Sequence, residues 1–471
     1  MADPRAALAV LTSKALTRGI RRLGRGGGTA LPGLVANRID PRLLDTLAAR
    51  LPAGTVVVAG TNGKTTTSRM LADMLEASGR RVAHNRAGSN LVRGISGAFA
   101  EQMGLFGAGA AEIGVIESDE NAFAEVVRRA RPRVVLLLNL FRDQLDRYGE
   151  LETIAAHWRA PLQALRPDCT LVVNADDPTL AWLATETSAQ VVTFGFEDAG
   201  YQLPELPHAA DAAVCRVCES RLLYHALYVS HLGDYHCPNC GFRRPPLLVV
   251  GRDVELVGVE RLGLTVADRR AQPAAARLEV AAPGMYNAYN ALAATAAARV
   301  LGLTFDAIGG SLGAFTAAFG RLERVTYRER RLTLALAKNP TGFNEVLRML
   351  VTEPLDGALA IGINDLDADG RDVSWLWDVD FEALADPRHS ARLFAIGLRG
   401  ADLAVRLKYA GVPAARLDAR AAGAPLNSAL DLIVEALEPG GQLFVLLTYT
   451  ALLELRQTLA DRGAVAQFWE Q

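Results

Sequence analysis

Short continuous runs of Val, Leu and Ile, each followed by a helical pattern, dominate the chain from about residue 54. Because these runs do not alternate with polar residues, they indicate strands buried on both faces of a parallel sheet with helices between them. The first set lies at 56–60, 113–118, 134–140 and 171–177, with helical patterns at about 64–78 and 120–130. We predict an α/β fold from this alternation.

A second series of the same kind follows. Its strand-like runs lie at 331–339, 358–365, 393–397 and 442–450. A Gly/Ala-rich helical pattern at 287–302 closes the first series, and we place the domain boundary near residue 325. An insertion at about 205–245, which carries cysteines and paired prolines, interrupts the first series. We therefore expect an N-terminal segment (1–50), a central domain (51–325) and a C-terminal α/β domain (326–471).

The chain opens with a basic amphipathic stretch over residues 1–30. A helix that packs on the central domain is favoured, and contact with anionic lipid headgroups is the alternative. The opening residues lack the apolar core of a secretory signal, and runs such as 134–140 are too short to span a bilayer. We expect a cytosolic protein.

Composition bounds the function further. At 471 residues and 50% hydrophobic, the chain can bury two or three cores. The net charge is −2, and the Lys and Arg residues are interspersed among Asp and Glu. The chain therefore has no overall positive potential that would attract nucleic acid.

The sequence GTNGKTTT at 60–67 follows a predicted strand and opens a predicted helix. Such a turn directs backbone N–H groups at phosphate oxygens. Lys64 would reach the terminal phosphates and the Thr65 hydroxyl would hold Mg²⁺. The strict pattern asks for glycine at position 58, where Val58 stands, so the shorter GxxGK[ST] form remains. ATP binding is the strongest prediction from the residues alone.

Polar groups follow three predicted strands, at the edge where ligands of doubly wound sheets bind. Glu117 is placed to bind Mg²⁺, although an acidic cluster at a helix N-terminus explains it equally well. Asn139 and Asp143 are candidates to face the nucleotide, whereas Asp146 and Arg147 suit a surface pair. The adjacent aspartates at 176 and 177 are candidates for ribose or metal.

Four of the five cysteines form two CxxC pairs separated by eighteen residues. This spacing is typical of a four-cysteine zinc site, and disulfides or a redox pair are the weaker alternatives. With four sulfur ligands the site would be closed to water and therefore structural. We do not expect a nearby histidine (His225, His231 or His236) to replace a sulfur. The predicted ligands are Cys215, Cys218, Cys237 and Cys240.

The order of motifs resembles the Mur ligase superfamily, whose members join an amino group to a carboxylate through an acyl phosphate. The motifs are GTNGKTTT (60–67), ESDE (117–120), NLFRDQLDRYGE (139–150), NADDP (174–178), PGMYNAYNALAA (283–294) and GRLE (320–323). The cysteine insertion, with KNPTGFNE (338–345) and NDLDADGRDVSWLWD (364–378), narrows the resemblance to the branch that amidates lipid II. This resemblance spans roughly residues 25 to 465. It implies a central P-loop ATPase domain with an inserted zinc ribbon, then a Rossmann-like ligase domain.

The resemblance also implies an activity and a partner. The α-carboxylate of D-isoglutamate in lipid II would become an amide, with ATP cleaved to ADP and phosphate. Ammonia would come from a glutaminase of the GatD type in a heterodimer. Carried over by position, the residues implied for ATP and Mg²⁺ are Gly60, Thr61, Asn62, Gly63, Lys64, Thr65, Thr66, Glu117, Asn287, Asn290 and Arg321.

Two positions depart from the superfamily pattern. Gln144 stands where a histidine is usual, and Trp158 stands where a carbamylated lysine is usual. These replacements argue against a second metal site of the usual construction. We therefore expect one Mg²⁺, bound with the nucleotide.

In the C-terminal domain the resemblance suggests that Asp372 or Asp378 reaches the glutaminase and completes its catalytic triad. Turn and helix-cap roles explain both aspartates equally well. Lys338, Asn339 and Asn344 follow a predicted strand and are candidates for contact with the acyl phosphate, with an ordinary helix cap as the alternative.

Two other functions stay open at this point. One is an amino-acid ligase similar to folylpolyglutamate synthase, which uses a free amine and no glutaminase. The other is a nucleotide-regulated scaffold whose ribbon binds a partner or nucleic acid. The ribbon offers few cations for nucleic acid, namely Arg216, Arg221, Arg243 and Arg244.

Overall fold

The computed structural model describes residues 4–22, 30–86, 89–103, 111–142, 151–207, 210–257, 260–270, 274–315 and 321–465. These residues form two compact units. The first holds the described residues up to 141, 151–204 and 212–315. The second holds the described residues from 321 onward, with 142, 205–207 and 210–211.

The first unit is built on a nine-stranded sheet. Its helices are α1 (Pro4–Arg22), α2 (Ala30–Ile39), α3 (Leu43–Ala49), α4 (Lys64–Ala77), α5 (Val92–Gln102), α6 (Phe123–Ala130), α7 (Leu151–Gln163), α8 (Pro178–Ala184), α9 (Met285–Val300) and α10 (Phe305–Gly313). Its strands are β1 (Thr55–Ala59), β2 (Val82–His84), β3 (Ile113–Glu117), β4 (Val134–Leu137), β5 (Thr170–Asn174), β6 (Gln190–Phe196), β7 (Leu223–Val229), β8 (Leu232–His236), β9 (Val249–Val257), β10 (Arg261–Asp268) and β11 (Ala274–Val280). The sheet order is β11-β10-β9-β6-β5-β4-β1-β3-β2.

The strands at the middle of this sheet are parallel, and every residue of β1, β3 and β4 is buried. Their continuous apolar sequences are therefore explained by helices on both faces of the sheet. Helix α9 is buried along nearly its whole length and packs on α4. Its run of alanines lets it lie close to its neighbours, and the pair fixes the start of α4 against the sheet.

The first unit has an antiparallel extension of its sheet that was not predicted. Strands β9, β10 and β11 pair antiparallel and extend the sheet at one edge. Strands β7 and β8 form a separate two-stranded hairpin, which is the centre of the cysteine insertion. The N-terminal helices α1, α2 and α3 pack against α5.

The second unit is a six-stranded sheet with helices. Its elements are β12 (Arg321–Tyr327), β13 (Arg330–Leu336), α11 (Pro340–Leu350), β14 (Ala358–Gly362), β15 (Arg392–Ile396), α12 (Gly400–Tyr409), β16 (Leu417–Asp418), α13 (Leu426–Glu435), β17 (Gln442–Leu447) and α14 (Tyr449–Asp461), with short 3₁₀ turns at Ser374–Asp378, Phe381–Ala385 and Ala414–Arg416. The order is β12-β13-β17-β14-β15-β16, parallel except for the β12–β13 hairpin.

The expected boundary near 325 falls inside β12. Because β12 pairs along its length with β13, the strand cannot be divided between two units. We therefore place the start of the second unit before Arg321.

Among the described residues, no helix combines the length and the apolar character that crossing a membrane requires.

One buried carboxyl of the second unit generates a prediction. Burial raises the pKa of Glu345, on α11, to about 7, and Arg348 at 3.8 Å opposes that shift only in part. The pKa of this carboxyl is higher in the folded state than in the unfolded state, so its ionisation destabilises the folded state. Below about pH 4.5 the carboxyl is protonated in both states, and this destabilisation is absent. Glu345→Gln should therefore raise the free energy of unfolding by about 1–3 kcal/mol at pH 8, and the gain should shrink as the pH falls.

Urea denaturation at a series of pH values measures this difference. Glu353→Gln, an exposed position just past the same helix, is the matched control and should change little. A loss of stability in Glu345→Gln at pH 8 would contradict the account.

Candidate functional site

The predicted phosphate loop joins the buried end of β1 to the first residue of α4. Gly63 has φ 86° and caps the helix, and Gly60 has φ 151°. A Cβ atom on Gly63 would lie 2.0 Å from Asn290 Oδ1, so this position requires glycine for space as well as for its backbone conformation. The turn thus presents the N-terminus of α4, with its positive dipole end, as an anion site.

Lys64 is buried and its ammonium group lies across the loop. Nζ donates to Gly60 O at 2.5 Å and to Thr61 O at 3.1 Å. It also pairs with Glu120 Oε1 at 2.8 Å. The sequence prediction did not single out Glu120, although it lies in the ESDE segment. Because Lys64 holds a carboxylate here, a phosphate could take the place of that carboxylate at the same cation.

Thr65 and Glu117 form the oxygen pair expected for magnesium. Thr65 Oγ1 donates to Glu117 Oε1 at 3.1 Å. Two adjacent ligands of an octahedral Mg²⁺ lie about 3 Å apart, given metal–oxygen distances of about 2.1 Å. The geometry and the hard oxygen donors therefore fit Mg²⁺.

Asn85, which sequence reasoning missed, fixes the backbone of Glu117. Its Oδ1 accepts from Glu117 N and its Nδ2 donates to Glu117 O, both at 2.9 Å. The only sequence signal is its place directly after β2, two strands from the loop.

Asn139 braces the loop from the end of β4. Its side chain accepts from Asn62 N at 2.8 Å and donates to Asn62 O at 3.0 Å, and its carbonyl accepts from Thr61 N at 3.0 Å. These contacts give Asn139 a role in shaping the loop. The other candidates of this segment, Asp143, Asp146 and Arg147, lie outside the described residues, as does Gln144.

Asn287 and Asn290 on α9 link Thr67 of α4 to Pro283, just before α9, through a series of hydrogen bonds. Asn290 Oδ1 accepts from Thr67 Oγ1 at 3.2 Å, and Asn290 Nδ2 donates to Asn287 Oδ1 at 3.0 Å. Asn287 in turn donates to Pro283 O at 2.7 Å. Arg321 begins β12, and its side chain lies outside the described part of the chain.

The two aspartates of the 174–178 segment have protein partners rather than an open position for ribose or metal. Asp176 binds Arg244 Nη1 at 2.8 Å, Phe196 N at 2.8 Å and Tyr289 OH at 2.7 Å. Asp177 caps α8 and accepts from Leu140 N at 2.8 Å. Both carboxylates therefore stabilise the fold around the loop.

Trp158 lies where the resemblance placed a carbamylated lysine. Its Nε1 donates to Glu120 O at 2.9 Å, and its ring packs on Phe123 with centroids 4.5 Å apart. The indole thus supports the residue that pairs with Lys64.

The four predicted zinc ligands come together at one end of the β7–β8 hairpin. All four Sγ atoms lie within 4.8 Å of one another, with Cys215–Cys240 at 3.6 Å and Cys218–Cys237 at 3.5 Å. A tetrahedron of zinc–sulfur bonds of about 2.3 Å has edges of about 3.8 Å, so the donor set fits Zn²⁺. Tight turns hold the cysteines, with Glu219 at φ 60° and Gly241 at φ 78°.

In the second unit the candidate aspartates lie on an exposed turn. Asp372 accepts from Ser374 N at 2.8 Å, and this hydrogen bond lowers the pKa of its carboxyl. Asp378 is 36% exposed and lies 3.7 Å from Arg142.

The residues that follow β13 form the start of helix α11 and stabilise it. Asn339 caps the helix by accepting from Gly342 N at 2.8 Å. Asn344 exchanges two hydrogen bonds with Asp380, at 2.9 Å each. Lys338 is half-buried at the end of the strand. The helix-cap alternative therefore describes Asn339.

Comparison with known proteins identifies the family of the chain. The Mur ligase middle domain model matches residues 58–240 and the MurT ligase C-terminal model matches residues 336–452. The Streptococcus pneumoniae protein named lipid II isoglutaminyl synthase (glutamine-hydrolyzing) subunit MurT is 32% identical over 463 residues, which cover 95% of each chain.

Solved structures share the fold. A pseudomurein peptide ligase type C from Methanothermus fervidus superposes with a TM-score of 0.64 at 21% identity, covering 87% of this chain and 78% of that chain. The MurF ligase from Thermotoga maritima, solved in complex with ADP, superposes with a TM-score of 0.62 at 14% identity, covering 91% and 85%.

The phosphate loop on this sheet, followed by a second α/β unit, defines a ligase with the Mur ligase fold, and the predicted fold class is confirmed. Within that class, the chain belongs to the MurT family.

The Thr65–Glu117 pair generates a prediction about Mg²⁺. Glu117→Gln removes the charged oxygen donor, and Thr65→Val removes its neighbour. Each change should weaken Mg²⁺ binding to the nucleotide complex by about 10-fold or more. Titration of Mg²⁺ into the protein with a fluorescent ATP analogue measures this affinity.

Glu76→Gln is the control, because it removes a carboxylate at the exposed end of the same helix. Unchanged Mg²⁺ affinity in Glu117→Gln would refute the magnesium role.

Proposed function

We propose that this chain is the synthetase subunit of a lipid II isoglutaminyl synthase, which amidates the α-carboxylate of D-isoglutamate in lipid II to give D-isoglutamine. The observation that carries the proposal is the Lys64–Thr65–Glu117 site in a chain aligned end to end with a MurT subunit of that name. The name of that relative supplies the substrate and the use of glutamine.

The proposed chemistry requires activation of a poor electrophile. A carboxylate oxygen of the substrate attacks the γ-phosphorus of ATP, and the bond from that phosphorus to the ADP oxygen breaks. The acyl phosphate that results is attacked by ammonia at its carbonyl carbon. The carbon–oxygen bond to phosphate then breaks, the attacking nitrogen loses a proton, and amide and phosphate are released.

The phosphate loop provides charge and position for the first step. Lys64 exchanges its contact with Glu120 for the terminal phosphate, and the helix dipole of α4 stabilises charge at the same place. Thr65 and Glu117 would hold Mg²⁺, which would supply positive charge to offset that of the phosphates. Because phosphoryl transfer needs little covalent help from the protein, this positioning is the main contribution of the chain.

The partner in this proposal is a glutamine amidotransferase of the GatD type, which hydrolyses glutamine to glutamate and ammonia. An exposed apolar surface on the second unit suits such a partner. Trp377 is 56% exposed and packs on Tyr409, which is 73% exposed, and Val405 lies one turn before Tyr409 on α12. We call these three residues the Trp377 surface. Aromatic side chains of this kind are frequent anchors of protein interfaces.

Asp378 directly follows Trp377 at the end of the 3₁₀ turn, and Asp372 lies two residues before the start of that turn. A carboxylate beside a docking surface can orient a histidine of the partner. We infer that one of these two aspartates serves the glutaminase, and that the other shapes the turn.

We also infer that the chain acts at the inner face of the membrane. The outward face of α1 carries Leu8 and Leu11, 55% and 49% exposed. Residues 4–38 contain seven Lys and Arg and no Asp or Glu. An apolar face with this charge suits anionic headgroups, where a lipid-linked substrate resides.

Mass spectrometry of lipid II tests the reaction. With the glutaminase, ATP, Mg²⁺ and glutamine, the carboxylate should become its amide, a loss of about 1 Da per molecule that follows from replacing OH with NH₂. Lys64→Ala should abolish conversion, and Arg261→Ala, an exposed cation of β10, should not.

Absence of conversion by a folded complex that binds ATP would contradict the amidation. A free amino acid joined in its place would instead identify an amino-acid ligase.

The aspartates can be tested separately from the synthetase reaction. Asp372→Asn and Asp378→Asn complexes should be assayed with glutamine and, in parallel, with ammonium salt. One of the two should lose about 100-fold or more of glutamine-dependent amidation, a loss on the scale of removing a triad's orienting group. Both should retain ammonium-dependent amidation.

Full glutamine-dependent activity in both variants would refute the triad role. Trp377→Ala should lower the affinity between the subunits, which sedimentation analysis measures independently of turnover.

A further inference from the structure

The β7–β8 hairpin has its cysteines at one end and a buried turn at the other. We define the hairpin tip as residues 229–232. A turn between two antiparallel strands usually faces solvent, yet all four residues of this tip are buried, and His231 is fully so. Val229 and Leu232 belong to the main hydrophobic core of the first unit. The tip is therefore inserted into the domain that carries the phosphate loop.

His231 touches the segment that braces this loop. Its ring packs on Phe141 with centroids 4.8 Å apart, and its Nε2 lies 3.6 Å from Asp177 Oδ2. The same carboxylate oxygen accepts from Leu140 N at 2.8 Å. One side chain of the hairpin thus contacts both a residue of the segment 139–141 and the carboxylate that holds it.

The segment 139–141 in turn holds the phosphate loop. Phe141 N donates to Thr61 Oγ1 at 3.0 Å, and Thr61 Oγ1 donates to Phe141 O at 3.1 Å. Thr61 N donates to Asn139 O at 3.0 Å. Every residue in this series from His231 to Thr61 is buried, so a displacement of the tip would be transmitted to the loop through packed side chains.

Two further contacts hold the hairpin in this position. Gly233 N donates to Asp176 O at 3.0 Å, and Arg244, just after the second cysteine pair, binds the Asp176 carboxylate at 2.8 Å. Strand β8 leads from the tip to Cys237, a span of about 17 Å at about 3.3 Å per residue. The metal end and the loop end of the hairpin are therefore joined by one continuous strand.

We propose that His231 is a positioning residue for the phosphate loop, through which zinc at one end of the hairpin supports nucleotide binding at the other. This inference rests on the nucleotide-binding part of the proposed function. The zinc ribbon would then contribute to nucleotide binding as well as to folding.

The test is nucleotide affinity in full-length chains with zinc bound. Isothermal titration of ADP with excess Mg²⁺ compares the unaltered protein, His231→Gln and His225→Gln. His225 is the matched control, because it is a histidine of the same hairpin that is exposed and stacks on His236. Zinc content and thermal denaturation establish that each variant is folded and loaded.

We expect His231→Gln to bind ADP roughly 5-fold or more weakly, the lower end of usual coupling between sites. His225→Gln should bind ADP like the unaltered protein. Equal affinity of folded, zinc-loaded His231→Gln and the unaltered protein would overturn the inference. Failure of the unaltered protein to bind ADP would refute the proposed function instead.

A second measurement needs no variant. Because coupling between two binding sites is reciprocal in affinity, ADP with Mg²⁺ should raise the affinity of the unaltered protein for zinc, which equilibrium competition with a chromophoric chelator measures. The same increase should persist in His225→Gln and be lost in His231→Gln if that variant folds. A zinc affinity that saturating ADP leaves unchanged would contradict the inference.

Discussion

The structure depends on one constraint: a glycine-containing loop must hold its backbone N–H groups toward a ligand. The surrounding side chains meet this need. Asn139 binds both backbone groups of Asn62, and Asn290 fills the space that Gly63 leaves. A loop braced in this way needs little reorganisation when it binds a phosphate, and preorganised charge is what phosphoryl transfer requires.

The same principle extends outward from the loop. Lys64 forms an ion pair with Glu120, whose backbone carbonyl accepts a hydrogen bond from Trp158. Asn85 binds the backbone of Glu117 in the same way. At the position where the superfamily usually has a carbamylated lysine, the chain has Trp158, whose indole binds the backbone of Glu120. The reactive groups are thus set by packing as well as by charge.

Local patterns were enough to predict the parts of the site that are local in sequence. The strand, loop and helix at 55–77 follow one another along the chain, so Lys64 and Thr65 could be identified from spacing. Glu117 could be placed because strands of a parallel sheet end at the same edge. Asn85 and His231 could not, because each reaches the site only through tertiary contacts. The antiparallel strands β9–β11 were also not predicted, since sequence spacing does not show which edge of a sheet they extend.

The most direct test of the account follows oxygen atoms through the reaction. Lipid II labelled with ¹⁸O in both oxygens of the α-carboxylate should be converted by the complex with unlabelled ATP. If the carboxylate attacks the γ-phosphorus, one ¹⁸O per amide formed must appear in the released phosphate, and the other must remain in the amide. Phosphate free of ¹⁸O, released in step with amide, would contradict activation of the carboxylate by ATP and with it the function assigned to this site.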